Sequence, residues 1–221
     1  MSRLIAGDTE TTGLYSKDGD RIIELALVEI TRDSNPRHLH LLFNPEGREI
    51  SPDAYKVHGI SAEDLVDKPT FAECIPQILE FIGDDPLVFH NAPFDLEFIR
   101  DEFARANLSW PEPKIIDTLK LAAKEYPGSR HSLDALCIRH GVDLSERKKH
   151  GALIDTVLLS RLWIAWKGQS ALDLSATQAV STVVSEEKLR KLITPTIEVP
   201  STVKEKPPAK SWESHFDGLD L

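Results

Sequence analysis

Residues 3–14 read Arg3-Leu4-Ile5-Ala6-Gly7-Asp8-Thr9-Glu10-Thr11-Thr12-Gly13-Leu14, or RLIAGDTETTGL. Residues 3–8 carry an apolar strand pattern, and two carboxylates and a string of small hydroxyl residues follow it. Residues i and i+2 of a strand share a face. Asp8 and Glu10 therefore stand side by side at the strand end, where two bare carboxylates repel and at least one pKa is driven up. Two readings stay open for this pair alone. It is a solvated strand-to-turn junction, or it is half of a cation site, where a divalent ion keeps both groups ionised.

Moving outward, residues 21–31 (RIIELALVEIT) form a longer strand pattern rich in Ile, Leu and Val, and residues 38–43 (HLHLLF) a third. Strand after strand with short connections predicts an antiparallel meander. A loop with Pro45, Gly47 and Pro52 follows. Thr70-Phe71-Ala72-Glu73 is a capping box that opens a helix, and Gly83 is placed to close it. Leu87-Val88-Phe89-His90 reads as a short buried strand. Asn91-Ala92-Pro93 then starts a helix, with proline in the first turn where its missing N–H costs nothing. Residues 114–117 read as one more strand, and 118–125, 132–140 and 152–166 as helices. Three strands followed by alternating strand and helix predict an α/β fold, a mixed sheet with helices on its faces.

The chain has 221 residues, of which 41% are hydrophobic and 28% charged, enough for one core of roughly 150–200 residues and something extra. The character changes after Trp166. Residues 175–221 hold Ser, Thr, Pro, Lys and Glu without a sustained apolar period, and Thr194-Pro195, Val199-Pro200 and Lys206-Pro207-Pro208 break any helix. The expected organisation is a domain over 1–167 and a flexible tail over 168–221. No stretch of eighteen apolar residues is present, so no membrane segment is expected. The first residues enter a strand pattern at once, without a basic-then-apolar leader. Cys74 and Cys137 are isolated, with no CxxC, and read as reduced buried thiols of a cytoplasmic protein. The net charge of −10 argues against gripping long duplex by phosphate neutralisation. It leaves room for a nucleic-acid enzyme whose carboxylates are offset by bound cations.

Two further stretches carry acids. In His90-Asn91-Ala92-Pro93-Phe94-Asp95, Asp95 falls in the first turn of a helix after a buried strand, where the helix N-terminus alone would favour it. In His150-Gly151-Ala152-Leu153-Ile154-Asp155, the five-residue offset places His150 on the entry loop and Asp155 early in the helix. Leu158, Leu159 and Leu162 continue an apolar stripe from Asp155, so that carboxylate turns toward the core and needs a partner.

DTETTGL, HNAPFD and HGALID, in that order and at those separations, resemble the three motifs of the 3′–5′ exonucleases that use four acidic residues and a histidine. KVHGI (56–60) and SLDAL (132–136) fit as well, and the resemblance spans residues 3–167. Within that family the motifs resemble those of the proofreading subunits of bacterial DNA polymerase III. The resemblance implies a ribonuclease H-like fold, a mixed five-stranded sheet whose first three strands are antiparallel. It implies that Asp8, Glu10, Asp95 and Asp155 ligate two Mg²⁺ or Mn²⁺ ions, oxygen ligation suiting these metals. It implies His150 as the general base, since an imidazole can take a proton from water near neutral pH. Two ions roughly 4 Å apart can clamp a scissile phosphate. The implied activity is hydrolysis at the 3′ end of single-stranded or frayed DNA with release of 5′-mononucleotides.

Other residues have two readings each. His58 resembles the position that contacts the terminal nucleotide, with Asp53 in the same loop; His58 is otherwise a surface loop histidine. Thr9 and Thr11 either face the 3′ end or serve the turn. Phe94 is a core aromatic or a wedge beside a base. Arg147-Lys148-Lys149 is a contact for the DNA backbone or a solvated charge run. His38 and His40 share a strand face but lack a third ligand nearby. Asp117 and Asp134 are read as structural. Gln169-Ser170-Ala171-Leu172-Asp173-Leu174 resembles sliding-clamp-binding peptides, with Gln169, Leu172 and Leu174 as anchors, or is simple linker. The resemblance implies that the tail tethers the enzyme to the polymerase (alpha) subunit, with an apolar cluster at Trp212, Phe216, Leu219 and Leu221 as candidate anchor. Two rival functions remain: a stand-alone nuclease trimming RNA or repair intermediates, and a non-catalytic interaction subunit.

Overall fold

The structure, a computed structural model, describes residues 3–168 except 34, 146, 148 and 149. The expected anchors Gln169, Leu172 and Leu174 and the terminal apolar cluster lie outside the described residues, as do Lys148 and Lys149.

β1 (Ile5–Thr11), β2 (Ile22–Glu29) and β3 (His38–Leu42) form the expected antiparallel meander. β4 (Leu87–Phe89) then joins the free edge of β1 in parallel, and β5 (Ile115–Asp117) joins β4 in parallel. The resulting five-stranded order is β3-β2-β1-β4-β5. Direct links over residues 12–21 and 30–37 suffice for the antiparallel half, whereas the parallel half needs crossovers through helices. β2 is buried from Ile22 to Val28, which explains its nearly unbroken apolar sequence: helices cover both of its faces.

β1 differs from its expected limits. It ends at Thr11 rather than Asp8, so both acids lie inside the strand, with Asp8 opposite Ala26 and Glu10 opposite Glu24. Gly7 is required where it stands. A Cβ there would lie 2.6 Å from the Phe89 ring, so only glycine lets β4 press its aromatic against β1.

α1 (Pro52–His58) is a correction. Ser51 caps it by accepting from the Ala54 N–H, and Pro52 takes the first position, so the proline opens a helix where the sequence reading extends a loop. Asp53 and His58 are therefore helical. α2 (Phe71–Ile82) has the expected capping box between Thr70 and Glu73 and ends at Gly83. α3 (Ala92–Arg105) starts after Asn91, whose left-handed backbone (φ 71°) turns the chain sharply out of β4. α4 (Thr118–Glu125), α5 (Leu133–Arg139) and α6 (Ala152–Lys167) complete the layers. Asp117 caps α4 by accepting from Leu119 and Lys120 N–H, a structural role, and Ser132 caps α5.

One face of the sheet buries Ile5, Leu25, Leu27 and Phe89 against α2 and α3, with Phe43, Phe71, Phe103 and Trp110 in a chain of ring contacts 5.0–6.0 Å apart. The other buries Ala6 and Val88 against Leu158, Leu159 and Leu162 of α6, and Cys137 of α5. Both cysteines are buried and free. Arg21, at the start of β2, makes a fork to Glu102 of α3 at 2.7 and 2.8 Å. No helix among the described residues is long and apolar enough to cross a membrane.

Candidate active site

The strand alternation that places Ala6 on the α6 side of the sheet carries Asp8 and Glu10 to the same side. α6 packs across β1 and β2 there, and its first turn delivers Asp155. One carboxylate oxygen from each of Asp8, Glu10 and Asp155 lies within 4.8 Å of the others. Asp155 is 6% exposed and begins the buried stripe through Leu158, Leu159 and Leu162, as its spacing requires.

Asp95 reaches the same region from α3, in the crevice outside the carboxyl ends of the parallel strands β1 and β4. It is 3% exposed and accepts a 2.8 Å hydrogen bond from Thr9 Oγ1. Asp95 stands outside the tight three-carboxylate set, but it is the strongest charge acting on Asp8.

The electrostatics are those of anions without enough solvent. Loss of solvent pushes Asp8 well above the carboxylate range, with Asp95, Glu10 and Asp155 adding to it. Glu10 is pushed to about 8, by burial first and then by Glu24, Asp155 and Asp95, with Arg147 opposing. Burial pushes Asp95 to about 7 against the hydrogen bond from Thr9. Such a set favours a doubly charged cation, and oxygen donors alone suit a hard one. The donors present fit Mg²⁺ or Mn²⁺.

His150 lies just before α6, half-exposed, with Nδ1 3.1 Å from Asp155 Oδ2 and 2.8 Å from Arg147 Nη2. The imidazole is thus at the rim of the carboxylate set, open to solvent. Arg147, which one reading of its charge run makes a contact for the DNA backbone, is engaged within the site. Its Nε and Nη2 each lie 2.7 Å from an oxygen of Asp155, and its Nη1 bonds Asp134. The partner that the buried Asp155 demanded is this arginine, eight residues upstream.

The expected substrate residues divide. His58 is not a surface loop histidine. It is 7% exposed at the end of α1, its Nδ1 accepts from Ile60 N–H, and its buried Nε2 has no partner among the described residues. Burial pushes its pKa down, with Glu24 and the backbone of Thr11 opposing. Asp53 is exposed and paired with Lys56 at 2.8 Å, within its own helix. Thr9 and Thr11 are strand residues rather than turn residues, and both hydroxyls are engaged internally, Thr9 on Asp95 and Thr11 on the Gly13 carbonyl at 2.6 Å. Phe94 is half-buried, packed on the core and on Phe98.

Glu24 was not singled out in the sequence. It sits opposite Glu10, is 6% exposed, and bonds His40 Nε2 at 2.7 Å and Ala152 N–H at 3.0 Å. Its signal was a charged residue inside an otherwise apolar strand.

The family model for exonucleases (RNase_T) matches residues 5–162. The chain belongs to the exonuclease family. It is 44% identical over 171 residues to the DNA polymerase III subunit epsilon of Rickettsia prowazekii, covering 75% of this chain and 74% of the relative. It is 40% identical over 177 residues to that of Escherichia coli, covering 76% and 72%. The epsilon subunit of Pasteurella multocida is 37% identical, with 100% and 89% covered. Among solved structures, exonuclease X in complex with 5′-overhanging duplex DNA superposes with a TM-score of 0.59 at 30% identity, over 77% of this chain and 94% of that one. The E. coli exonuclease I–ssDNA complex, at 19% identity and a TM-score of 0.63 over 76% of this chain and 42% of that one, shares the fold. The mixed sheet and flanking helices are the ribonuclease H-like fold expected from the sequence.

Proposed function

We propose that the chain is a divalent-metal-dependent 3′–5′ exonuclease that acts on the 3′ end of single-stranded or frayed DNA, releases 5′-mononucleotides and proofreads for a DNA polymerase III-type assembly. The observation that carries this reading is the convergence of Asp8, Glu10 and Asp155 to within 4.8 Å beside a half-exposed His150. Its relatives, named as epsilon subunits, support the assignment to replication.

In this reading Asp8, Glu10, Asp95 and Asp155 hold two Mg²⁺ or Mn²⁺ ions. Such ions would offset the charge of the scissile phosphate and of the departing 3′ oxygen and help ionise the attacking water. The chain's own groups do the rest. Thr9 holds Asp95 through its hydroxyl, fixing one carboxylate oxygen. His150 takes the water's proton. Nε2 is the accepting atom in the tautomer whose Nδ1–H donates to Asp155 Oδ2 rather than accepting from Arg147 Nη2. The unpartnered Nε2 of His58 is the donor or acceptor that a terminal nucleotide would satisfy, and Thr9, Thr11 and Asp53, at the other end of α1, are the further candidates for substrate contact.

Residues 1–167 then form the catalytic domain and 168–221 the tether. Gln169, Leu172 and Leu174 would engage the sliding clamp, and the terminal segment the alpha subunit. A tether keeps an acidic nuclease near primer ends that it would bind poorly alone.

The test is incubation with 3′-mispaired DNA and with RNA, each with Mg²⁺ and with EDTA. Mononucleotide release from DNA in Mg²⁺ only is expected. Preferential degradation of RNA would support the stand-alone rival, and no hydrolysis of either would support the non-catalytic one. Deleting 168–221 should spare hydrolysis and abolish co-purification with the polymerase. Retained co-purification would refute the tether.

A further inference from the structure

We infer that Glu24 is a positioning residue that ties the start of α6, and with it His150 and Asp155, to the strand pair bearing Asp8 and Glu10. The inference rests on the nuclease reading above.

The first N–H groups of any α-helix lack intrahelical acceptors and need partners from elsewhere. The residue before α6 is Gly151, which has no side chain to cap it. The bond comes instead from a residue 128 positions away: Glu24 Oε2 accepts from the Ala152 N–H at 3.0 Å. A Cβ at Gly151 would lie 4.0 Å from the same oxygen, so the carboxylate rests directly against the helix entry. Glu24 therefore does across the fold what an N-cap residue does locally.

This bond joins the two halves of the site. Glu24 is the register partner of Glu10 in the β1–β2 ladder. Ala152 lies two residues after His150 and three before Asp155. Ala26 and Val28, on the same face of β2 as Glu24, pack with Ala152 and Leu153, so the hydrogen bond and the apolar contact fix one joint. The carboxylate is itself held. His40, on the edge strand β3, meets its other oxygen at 2.7 Å, and a negative charge that close to a backbone N–H makes a strong bond. The chain His40–Glu24–Ala152 thus runs from the sheet edge to the helix that carries the proposed base.

Catalytic geometry tolerates little error: a misplacement near 1 Å can cost about a hundredfold in rate. Glu24→Ala should lower kcat by about tenfold or more, with KM for the DNA end within about twofold. Backbone amides of residues 152–155 should exchange hydrogen about fivefold faster, as loss of a cap implies. Glu24→Gln, whose amide oxygen can still accept from Ala152 N–H, should recover most of kcat and most of the protection. His40→Leu is the second variant. Its ring is on an edge strand and partly exposed, so the fold tolerates its loss, and it should reproduce a smaller part of both effects.

Parental kcat and parental exchange in Glu24→Ala would overturn the proposal. So would Glu24→Gln losing as much as Glu24→Ala, since charge alone would then be the contribution. If Glu24→Ala does not fold, His40→Leu decides: unchanged exchange at 152–155 and unchanged kcat overturn the chain of support. Hydrolysis by the parent protein is scored separately. Its absence would refute the nuclease reading, while the exchange measurement would still report on the tie between Glu24 and α6.

Discussion

Arg147 grips Asp155 by both carboxylate oxygens, Nε to Oδ1 and Nη2 to Oδ2, each at 2.7 Å. Both side chains are about nine-tenths buried. A cation shared by Asp8, Glu10 and Asp155 must take an oxygen that Arg147 now holds, so the guanidinium and the metal compete for one ligand. Breaking a buried pair by removing one partner costs on the order of 3 kcal/mol. Arg147→Ala should therefore be about 3 kcal/mol less stable than the parent in EDTA, and Mn²⁺ should restore more stability to it than to the parent. Urea unfolding with and without Mn²⁺ measures both. Equal stability in EDTA would mean that the pair contributes nothing net.

The two acids of the site should part company on mutation. Asp8 lies among like charges, with its pKa held up by burial and by the neighbouring carboxylates Asp95, Glu10, Asp155 and Glu24. Asp155 has a cationic partner. Both Asp8→Ala and Asp155→Ala should lose cleavage by orders of magnitude. In EDTA the first should raise the melting temperature by relieving repulsion, and the second should lower it by removing the two-oxygen partner of the buried Arg147, which then keeps only Asp134 as a counter-charge. Two shifts of the same sign would contradict the pairing.

Stability should depend on pH in a definite direction. Glu10 rises from 4.5 to about 8 and Asp95 from 3.8 to about 7 on folding. A raised carboxylate binds its proton more tightly when folded. Its contribution is complete below the unfolded pKa and disappears as pH climbs through the folded one. In EDTA the melting temperature should fall between about pH 5 and pH 8.5, and saturating Mg²⁺ should flatten that fall. Glu10→Gln should remove part of the slope. A melting temperature that rises with pH in EDTA would be the wrong sign.

Much of the architecture is readable in the chain because it is local. The capping box at Thr70, Asn91-Ala92-Pro93 ahead of α3, and the Asp117 and Ser132 caps all rest on residues within a few positions of one another. The convergence of Asp8, Glu10 and Asp155 beside His150 was legible through motif spacing. What the sequence hid is long-range pairing. Nothing near Glu24 in the chain shows that it meets Ala152, and in RIIELALVEIT it reads as one polar interruption. Arg147 looked like part of a basic run because its partner, Asp155, lies beyond a loop whose path is set by tertiary packing. Pro52 read as loop because a proline that opens a helix and one that prevents it look alike until Ser51 is seen capping. The Arg21–Glu102 fork joins residues 81 apart and leaves no periodic trace.

Thr9 offers a finer test of the site. Its hydroxyl is the side-chain donor to the buried Asp95, so Thr9→Val leaves an acceptor unsatisfied at a cost of about 1–3 kcal/mol. Thr9→Val should cleave about tenfold more slowly, with Thr9→Ser near the parent, since valine keeps the bulk and loses the donor whereas serine loses a methyl and keeps the donor. Single-turnover rates on a 3′-mispaired primer would separate them. Equal rates for the two variants would show that the hydroxyl plays no part.

The most direct measurement is anomalous scattering from crystals soaked in Mn²⁺ with a nucleoside 5′-monophosphate. The account predicts two strong peaks, bounded by the carboxylates of Asp8, Glu10, Asp95 and Asp155, with Arg147 displaced from at least one oxygen of Asp155. Clear density for these side chains and no anomalous peak beside them would contradict it.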